Sequence, residues 1–448
     1  MGAPAEGTAR QAARRPRNVL MLLSDDQRHD TVGALGNRDI RTPNLDRLVR
    51  EGTALTHACT MGGRHGALCI PSRAMLLTGR MLFHAPDQIP AGVGLWPEEL
   101  RKAGYTTFGT GKWHNNRDAF ARAFSCGGPV FFGGMSDHAR VPVQDFDPEG
   151  RYPDERARVE NRFSSELFTD SLVRFLRDRR GAEPFMAYVA YTAPHDPRMA
   201  PEPYASMYPP ERIPLPPNFL PGHPFDNGEI HNRDEDLAPF PRTPEVVRRH
   251  IADYYAMITH LDAQIGRVLD TLRETGLDRD TLVVFAGDNG LALGQHGLLG
   301  KQSLYEHSMR VPLIFSGPGV PRGARRDALC YLLDVYPTVC DLMGVAVPAS
   351  VEGASLEKVL RGDADAVRDS LFLPYRDLGR AVRDRRWKLI EYRVAGERHT
   401  QLFDLRADPW ETHDFSNDPE HQATLERMRA LLARWQRETG DPAGVWTA

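Results

Sequence analysis

Five short apolar runs, each closed at its C-terminal end by polar or glycine-rich sequence, constrain the fold of this chain most. Asn18 to Leu23 ends in Ser24-Asp25-Asp26, and Tyr105 to Gly109 in Thr110-Gly111-Lys112-Trp113-His114. Phe185 to Tyr191 ends in Thr192-Ala193-Pro194-His195-Asp196, and Thr281 to Ala286 in Gly287-Asp288-Asn289-Gly290. Val311 to Phe315 ends in Ser316-Gly317-Pro318-Gly319. Near-continuous apolar strands belong to a sheet covered on both faces. Helical periodicity fills the gaps, over Asn44 to Gly52, Trp96 to Gly104, Phe163 to Arg179 and His250 to Gly276. The alternation predicts a doubly wound α/β sheet. Ligands of such sheets bind beyond the carboxyl ends of the strands, so the polar clusters mark the expected site.

The texture changes along the chain. Residues 1–17 carry Arg, Ala and Gly without an apolar core; they read as a disordered segment and not as a signal peptide. As written, the chain is expected in the cytoplasm, or in the periplasm or outside the cell if a leader has been removed. Residues 18–364 form the main α/β domain. Within it, Pro194 to Pro244 holds fourteen prolines in fifty-one residues, and this irregular excursion is expected to shape the mouth of the site. His223, His231 and Arg233, within it, are expected at the solvent surface. From about residue 365 to 448, LFLPY, RAVRDRRWKLIEYR and TQLFDLRADPWE read as antiparallel strands. A helix from Pro419 to Gly440 follows, with Leu425, Met428, Leu431, Leu432 and Trp435 on one face. This is a smaller C-terminal α+β subdomain.

Several functions are excluded by bulk properties. A net charge of −4 lacks the basic footprint of a general nucleic-acid binder. Runs such as VLMLL and TLVVFAG are far too short to span a bilayer. Cysteines 59, 69, 126, 330 and 340 are scattered without CxxC spacing, so neither a zinc ribbon nor a disulfide framework is present.

Chemistry concentrates in a few stretches. In Cys69-Ile70-Pro71-Ser72-Arg73, continued through Thr78-Gly79-Arg80, Pro71 suits the first turn of a helix. A helix start offers free N–H groups and a positive dipole end to an anion, and Arg73 adds a forked donor matched to an oxyanion. Asp25 and Asp26, with Asp288 and Asn289, stand at two strand ends. Taken singly, either pair suits a helix or turn cap as well as it suits a metal. Together they form an all-oxygen donor set, the preference of Ca²⁺ or Mg²⁺ over zinc.

These stretches closely resemble the signature of the sulfatases, C-x-P-S-R with a trailing T-G-R. The family is the type I, formylglycine-dependent branch of the alkaline phosphatase-like superfamily. The resemblance continues through RTPNLDRLVREG, Gly111-Lys112-Trp113-His114, Thr192-Ala193-Pro194-His195, GLLGKQSLYEHSMRVP and LFDLRADPWE, and so spans nearly the whole chain. It implies a large, mostly parallel mixed sheet between helices, with a small antiparallel sheet at the C-terminus. It implies that Cys69 is oxidised by a formylglycine-generating enzyme to Cα-formylglycine, whose hydrate is the nucleophile. A divalent cation, Ca²⁺ with Mg²⁺ as the alternative, would lie on Asp25, Asp26, Asp288, Asn289 and the modified Cys69. Arg73, Lys112 and Lys301 would grip sulfate, His114 would contact the hydrate, and His195 would face the ester oxygen as the candidate acid. Asp196, Arg198 and His296 are candidate substrate contacts. Asn115-Asn116 depart from the commoner Leu-Gly after GKWH, which bears on specificity.

The activity so implied is hydrolysis of a sulfate monoester, with a sulfated sugar or oligosaccharide as the expected substrate. Phosphonate or phosphate monoester hydrolysis is one competing reading. A catalytically silent carbohydrate-binding relative is the other, opposed by the intact Cys69, Arg73, Lys112, His114, His195 and Lys301.

Overall fold

The computed structural model describes residues 17–446. The segment read as disordered lies, apart from Arg17, outside the described residues. In chain order the strands are β1 (Asn18–Ser24), β2 (Gly52–Cys59), β3 (Thr106–Lys112), β4 (Cys126–Phe131), β5 (Pro142–Val143), β6 (Arg158–Val159) and β7 (Phe185–Ala190). There follow β8 (Thr281–Gly287), β9 (Arg310–Ser316), β10 (Ala324–Tyr331), β11 (Leu371–Tyr375), β12 (Gly379–Arg383), β13 (Trp387–Val394) and β14 (Glu397–Asp404). Eight of them form one sheet in the order β10-β2-β9-β8-β1-β7-β3-β4. Its pairings are parallel except at β9, which runs antiparallel to both β2 and β8.

The central strands are apolar throughout because both faces are covered: every residue of β1, β7 and β8 is buried. Alternation along β1 sends Val19, Met21 and Leu23 into one layer with Trp96 and Tyr336. Leu20 and Leu22 enter the other, with Leu261 and Ile265. Fully burying one such aliphatic side chain contributes roughly 1.5–3 kcal/mol. Leu261 and Ile265 lie on the long helix Pro244–Glu274, which has Pro at its first position and Thr243 accepting from the Val246 N–H. β2, β4 and β10 carry no continuous apolar run. β4 is Cys-Gly-Gly-Pro-Val-Phe and β10 begins Ala-Arg-Arg-Asp; both are edge strands, where one side of the ladder needs no partner.

At the C-terminus β11 to β14 form an antiparallel sheet of four strands. RAVRDRRWKLIEYR is two strands and not one. The chain turns at Asp384, whose Oδ1 accepts from the backbone N–H groups of Arg386 and Trp387. Helix Gln422–Glu438 covers this sheet with Leu425, Met428 and Leu432.

A buried ion network ties the two sheets together. Glu306 accepts from Arg383 Nη1 at 2.6 Å and from Lys388 Nζ at 3.2 Å, and Lys388 also pairs with Glu411 at 2.8 Å. Removing one member strands buried charges. Glu306→Ala is therefore expected to destabilise the fold by about 3–5 kcal/mol. Denaturant unfolding reads this, and a loss below about 1 kcal/mol would show the network to be replaceable.

Candidate active site

Four neighbouring strands, β8, β1, β7 and β3, bring their C-terminal ends to one edge of the large sheet. Asp25 and Asp26 leave β1, and Asp26 adopts a left-handed φ of 63°. Its N–H donates to Asp288 Oδ1 at 2.9 Å, while Tyr254 OH donates to its carbonyl at 2.6 Å. Asp288 and Asn289 leave β8. Lys112 ends β3, which closes on β7 because Gly111 has no Cβ; one there would lie 1.9 Å from the Ala190 carbonyl oxygen. His114 follows with φ 52°, its ring lodged against Gly134, where a Cβ would lie 2.7 Å from Nε2. Cys69 is the first residue of the helix Cys69–Thr78, closed at its other end by left-handed Gly79.

Around Cys69 the charged groups interlock. Cys69 Sγ lies 3.2 Å from Asp25 Oδ1, 3.4 Å from Asp26 Oδ1 and 3.2 Å from Lys301 Nζ. Lys301 Nζ donates to both oxygens of Asp26 at 2.8 and 2.9 Å, and Lys112 Nζ to Asp25 Oδ2 at 2.5 Å. Arg73 Nε donates to Asp288 Oδ2 at 2.9 Å and its Nη1 to the Lys112 carbonyl at 2.6 Å. Burial pushes the Cys69 thiol well up, and the carboxylates of Asp25, Asp26 and Asp288 add to it. Burial likewise raises Asp288 to about 6, with Asp25 beside it. Asp25 itself, despite its burial, is held well below the usual range by Lys112, His195 and Arg73. Burial, then Lys112 and Arg73, bring His114 down to about 2, so its imidazole is neutral at physiological pH.

This cluster suits a hard divalent cation. Oxygens of Asp25, Asp26 and Asp288 and the sulfur of Cys69 lie within 4.8 Å of one another. Asn289 Nδ2 donates to Asp26 Oδ1 at 2.7 Å, while its Oδ1 is buried with no hydrogen-bond partner, an acceptor that a cation could use. The three carboxylates are matched by Arg73, Lys112 and Lys301. A bound divalent cation would therefore leave the site positive, as an anionic ester requires.

The cleft itself, about 310 Å³, is lined by Cys69, His114, His195 and Lys301. Arg73 and Lys112 lie behind it, engaged with carboxylates. His195 Nδ1 meets the Asp196 carbonyl at 2.8 Å, and its Nε2 stands 3.5 Å from Asp26 Oδ2. His138 bridges Thr192 Oγ1 and the His195 carbonyl, fixing this turn. Asp196 sits beneath His195 in an ion pair with Arg233. Arg198 contacts His250 Nδ1 at 2.8 Å, and His296 stacks on Tyr305 at 3.9 Å; neither lines the cleft. The excursion after His195 does return to the cleft, through Glu229, Asn232, Arg233 and Asp234. Arg233, with a side chain 47% exposed, bridges Asp196 and Asp234 at the mouth, a role its loop position alone did not signal. His223 is half-buried and bonds Tyr305 OH, not solvent alone. Asn115 and Asn116 hold the backbone of Asp87 and Ile89.

Residues 17–345 match the sulfatase family, and residues 294–438 the family described as N-sulphoglucosamine sulphohydrolase, C-terminal. The arylsulfatase of Clostridium perfringens is 28% identical over 460 residues, covering 93% of this chain and 94% of its own. The ulvan-active sulfatase of Formosa agariphila is 27% identical over 455 residues, covering 95% and 82%. A solved structure in complex with its substrate, D-glucosamine-2-N,6-O-disulfate, shares the fold with a TM-score of 0.80 at 23% identity, covering 97% of this chain and 100% of the other. The family match begins at the first strand and takes in every strand end that carries the acidic cluster, Cys69 and the lysines. The chain accordingly belongs to the sulfatase family of the alkaline phosphatase-like superfamily, and is a sulfuric ester hydrolase.

Proposed function

We propose that the protein removes sulfate from a sulfated carbohydrate, using a formylglycine made from Cys69 and a cation, Ca²⁺ or else Mg²⁺, on Asp25, Asp26, Asp288 and Asn289. The observation that carries this reading is the meeting of Cys69 Sγ, three carboxylates and Lys301 Nζ at the floor of one cleft. The carbohydrate class is supported by the ulvan-active sulfatase and by the solved structure that holds D-glucosamine-2-N,6-O-disulfate as its substrate. Hydrated formylglycine would supply a hydroxyl nucleophile for sulfur, and its formation requires a formylglycine-generating enzyme as partner. The cation would neutralise charge on the sulfate oxygens.

The chain's own residues do the rest. Lys301 binds a sulfate oxygen beside residue 69, and Lys112 adds positive charge from below. Arg73 positions Asp288 and the end of β3. His195 donates from Nδ1 to the Asp196 carbonyl, so in its imidazolium form it can give the Nε2 proton to the departing alcohol oxygen and keep the one on Nδ1. His114, which also lines the cleft, would accept a proton from the hydrate formed at residue 69.

Sulfate release from sulfated mono- and disaccharides, run beside hydrolysis of an aryl phosphonate ester, tests the reading. Sulfate esters should be the better substrates; a reversed preference would move the protein to phosphonate monoester hydrolysis. His195→Ala should lower kcat/KM for sugar sulfates by roughly 10²–10⁴-fold and for an activated aryl sulfate by far less, because a good leaving group needs no proton. Equal losses on both would make His195 a sulfate-binding residue.

A further inference from the structure

Away from the cleft, Trp410 and Arg28 are shared by two concavities that have no lining residue in common with it. The larger, about 510 Å³, is walled by Tyr254, Tyr255, Leu215 and its flanking prolines, together with Trp410. The smaller, about 140 Å³, sets charged and polar side chains beside Pro409 and the same Trp410. Three atoms of its lining residues are buried without a partner: His29 Nδ1, His307 Nδ1 and Asn218 Oδ1. His307 and Asn218 are only 4% and 7% exposed. Their remaining polar atoms are already used. Asn218 Nδ2 donates to the Trp410 carbonyl at 2.7 Å, and His307 Nε2 meets Ser303 Oγ at 3.1 Å. An amide oxygen and two imidazole nitrogens left open in one recess call for a ligand that donates hydrogen bonds.

Asp30 holds Arg28 at 2.6 and 2.9 Å, Arg383 and Lys388 hold Glu306 and Glu411, and Arg310 stands 3.9 Å from Glu306. With one cation in excess a cationic ligand would be repelled, and an anion without a hydrogen to donate would leave the Asn218 oxygen unsatisfied. A metal ion fails on geometry. Among the described residues, only those around Cys69 bring three or more His, Cys, Asp or Glu ligand atoms within 4.8 Å of one another. What fits is a neutral molecule with several hydroxyls and one apolar face to lie on an indole ring.

We propose that this groove is a second carbohydrate site, which takes an unsulfated sugar unit against Trp410 with its hydroxyls on Asn218, His29 and His307. The proposal rests on the carbohydrate reading of the substrate. Tyr254, on the groove wall, also donates to the Asp26 carbonyl, so the site backs directly onto the catalytic floor.

Calorimetric titration of the full chain with chitotetraose, cellotetraose, mannotetraose and neoagarotetraose tests it. At least one should bind saturably at a single site. Trp410→Ala should weaken it about tenfold or more, and Trp410→Phe should restore part of the loss. Should Trp410→Ala melt early, Tyr255→Ala, which opens the opposite wall, carries the same expectation. Cys69→Ala should bind unchanged. No binding by any of the four, equal binding by Trp410→Ala, or loss of binding in Cys69→Ala would each overturn the proposal. Tetrasaccharide binding without sulfate release would instead count against the sulfatase reading and leave this site standing.

Discussion

Cys69→Ala is expected to lose sulfate release by roughly 10⁴–10⁶-fold in kcat, the scale seen when a covalent nucleophile is deleted. No other side chain at the floor of the cleft can replace it. Asp25 and Asp26 are engaged by Lys112 and Lys301, and Ser72, three residues on, donates to the Asp288 carbonyl. Substitution should leave the fold intact, because it removes a single sulfur atom and Lys301 keeps both oxygens of Asp26. Coexpression with a formylglycine-generating enzyme should convert residue 69 to the aldehyde, read as loss of the thiol by peptide mass. Activity should rise in proportion to that fraction. Full activity in Cys69→Ala would end the proposed mechanism.

The second large effect is expected at Asp288. Its carboxylate accepts from Arg73 Nε and from the backbone N–H groups of Asp26 and Asn289, each at 2.9 Å. Asp288→Ala should remove a cation ligand and release Arg73, lowering kcat/KM by roughly 10³-fold or more. Leaving the buried Arg73 guanidinium with only Asp25, at 3.7 Å, as a carboxylate partner should also cost about 3–5 kcal/mol of stability. Asp288→Asn keeps the shape and the Arg73 contact in part, so its loss of activity should exceed its loss of stability. Chelation of the wild type should abolish turnover, and Ca²⁺ or Mg²⁺ should restore it. Stoichiometric zinc with no alkaline-earth ion would contradict the hard-oxygen assignment.

Much of this architecture is written locally. The five apolar runs are strands of one sheet because a strand buried on both faces must be apolar at every position, and that pattern survives in one dimension. Edge strands β4 and β10 escaped it. Gly127, Gly128 and Pro129, or Arg325 and Arg326, are tolerated where a strand has one neighbour and a solvent side. The turn at Asp384 was hidden for a related reason, since an Asx turn inside a charged run leaves no break in periodicity.

For the site, local sequence determined which groups stand at strand ends, and so brought Asp25, Lys112, His195 and Asp288 to one edge of the sheet. Ligand-bearing strand ends are a property of the α/β layer itself. Only the tertiary structure decided how those groups are spent. It placed Arg73 and Lys112 behind carboxylates, set His296 against Tyr305, and returned Arg233 and Asp234 to the mouth of the cleft. It likewise brought Asn218, His307 and Trp410 to one recess. These contacts join segments far apart in the chain, where neither helical nor strand periodicity can register them. They exist because buried polar atoms must find partners wherever packing puts them.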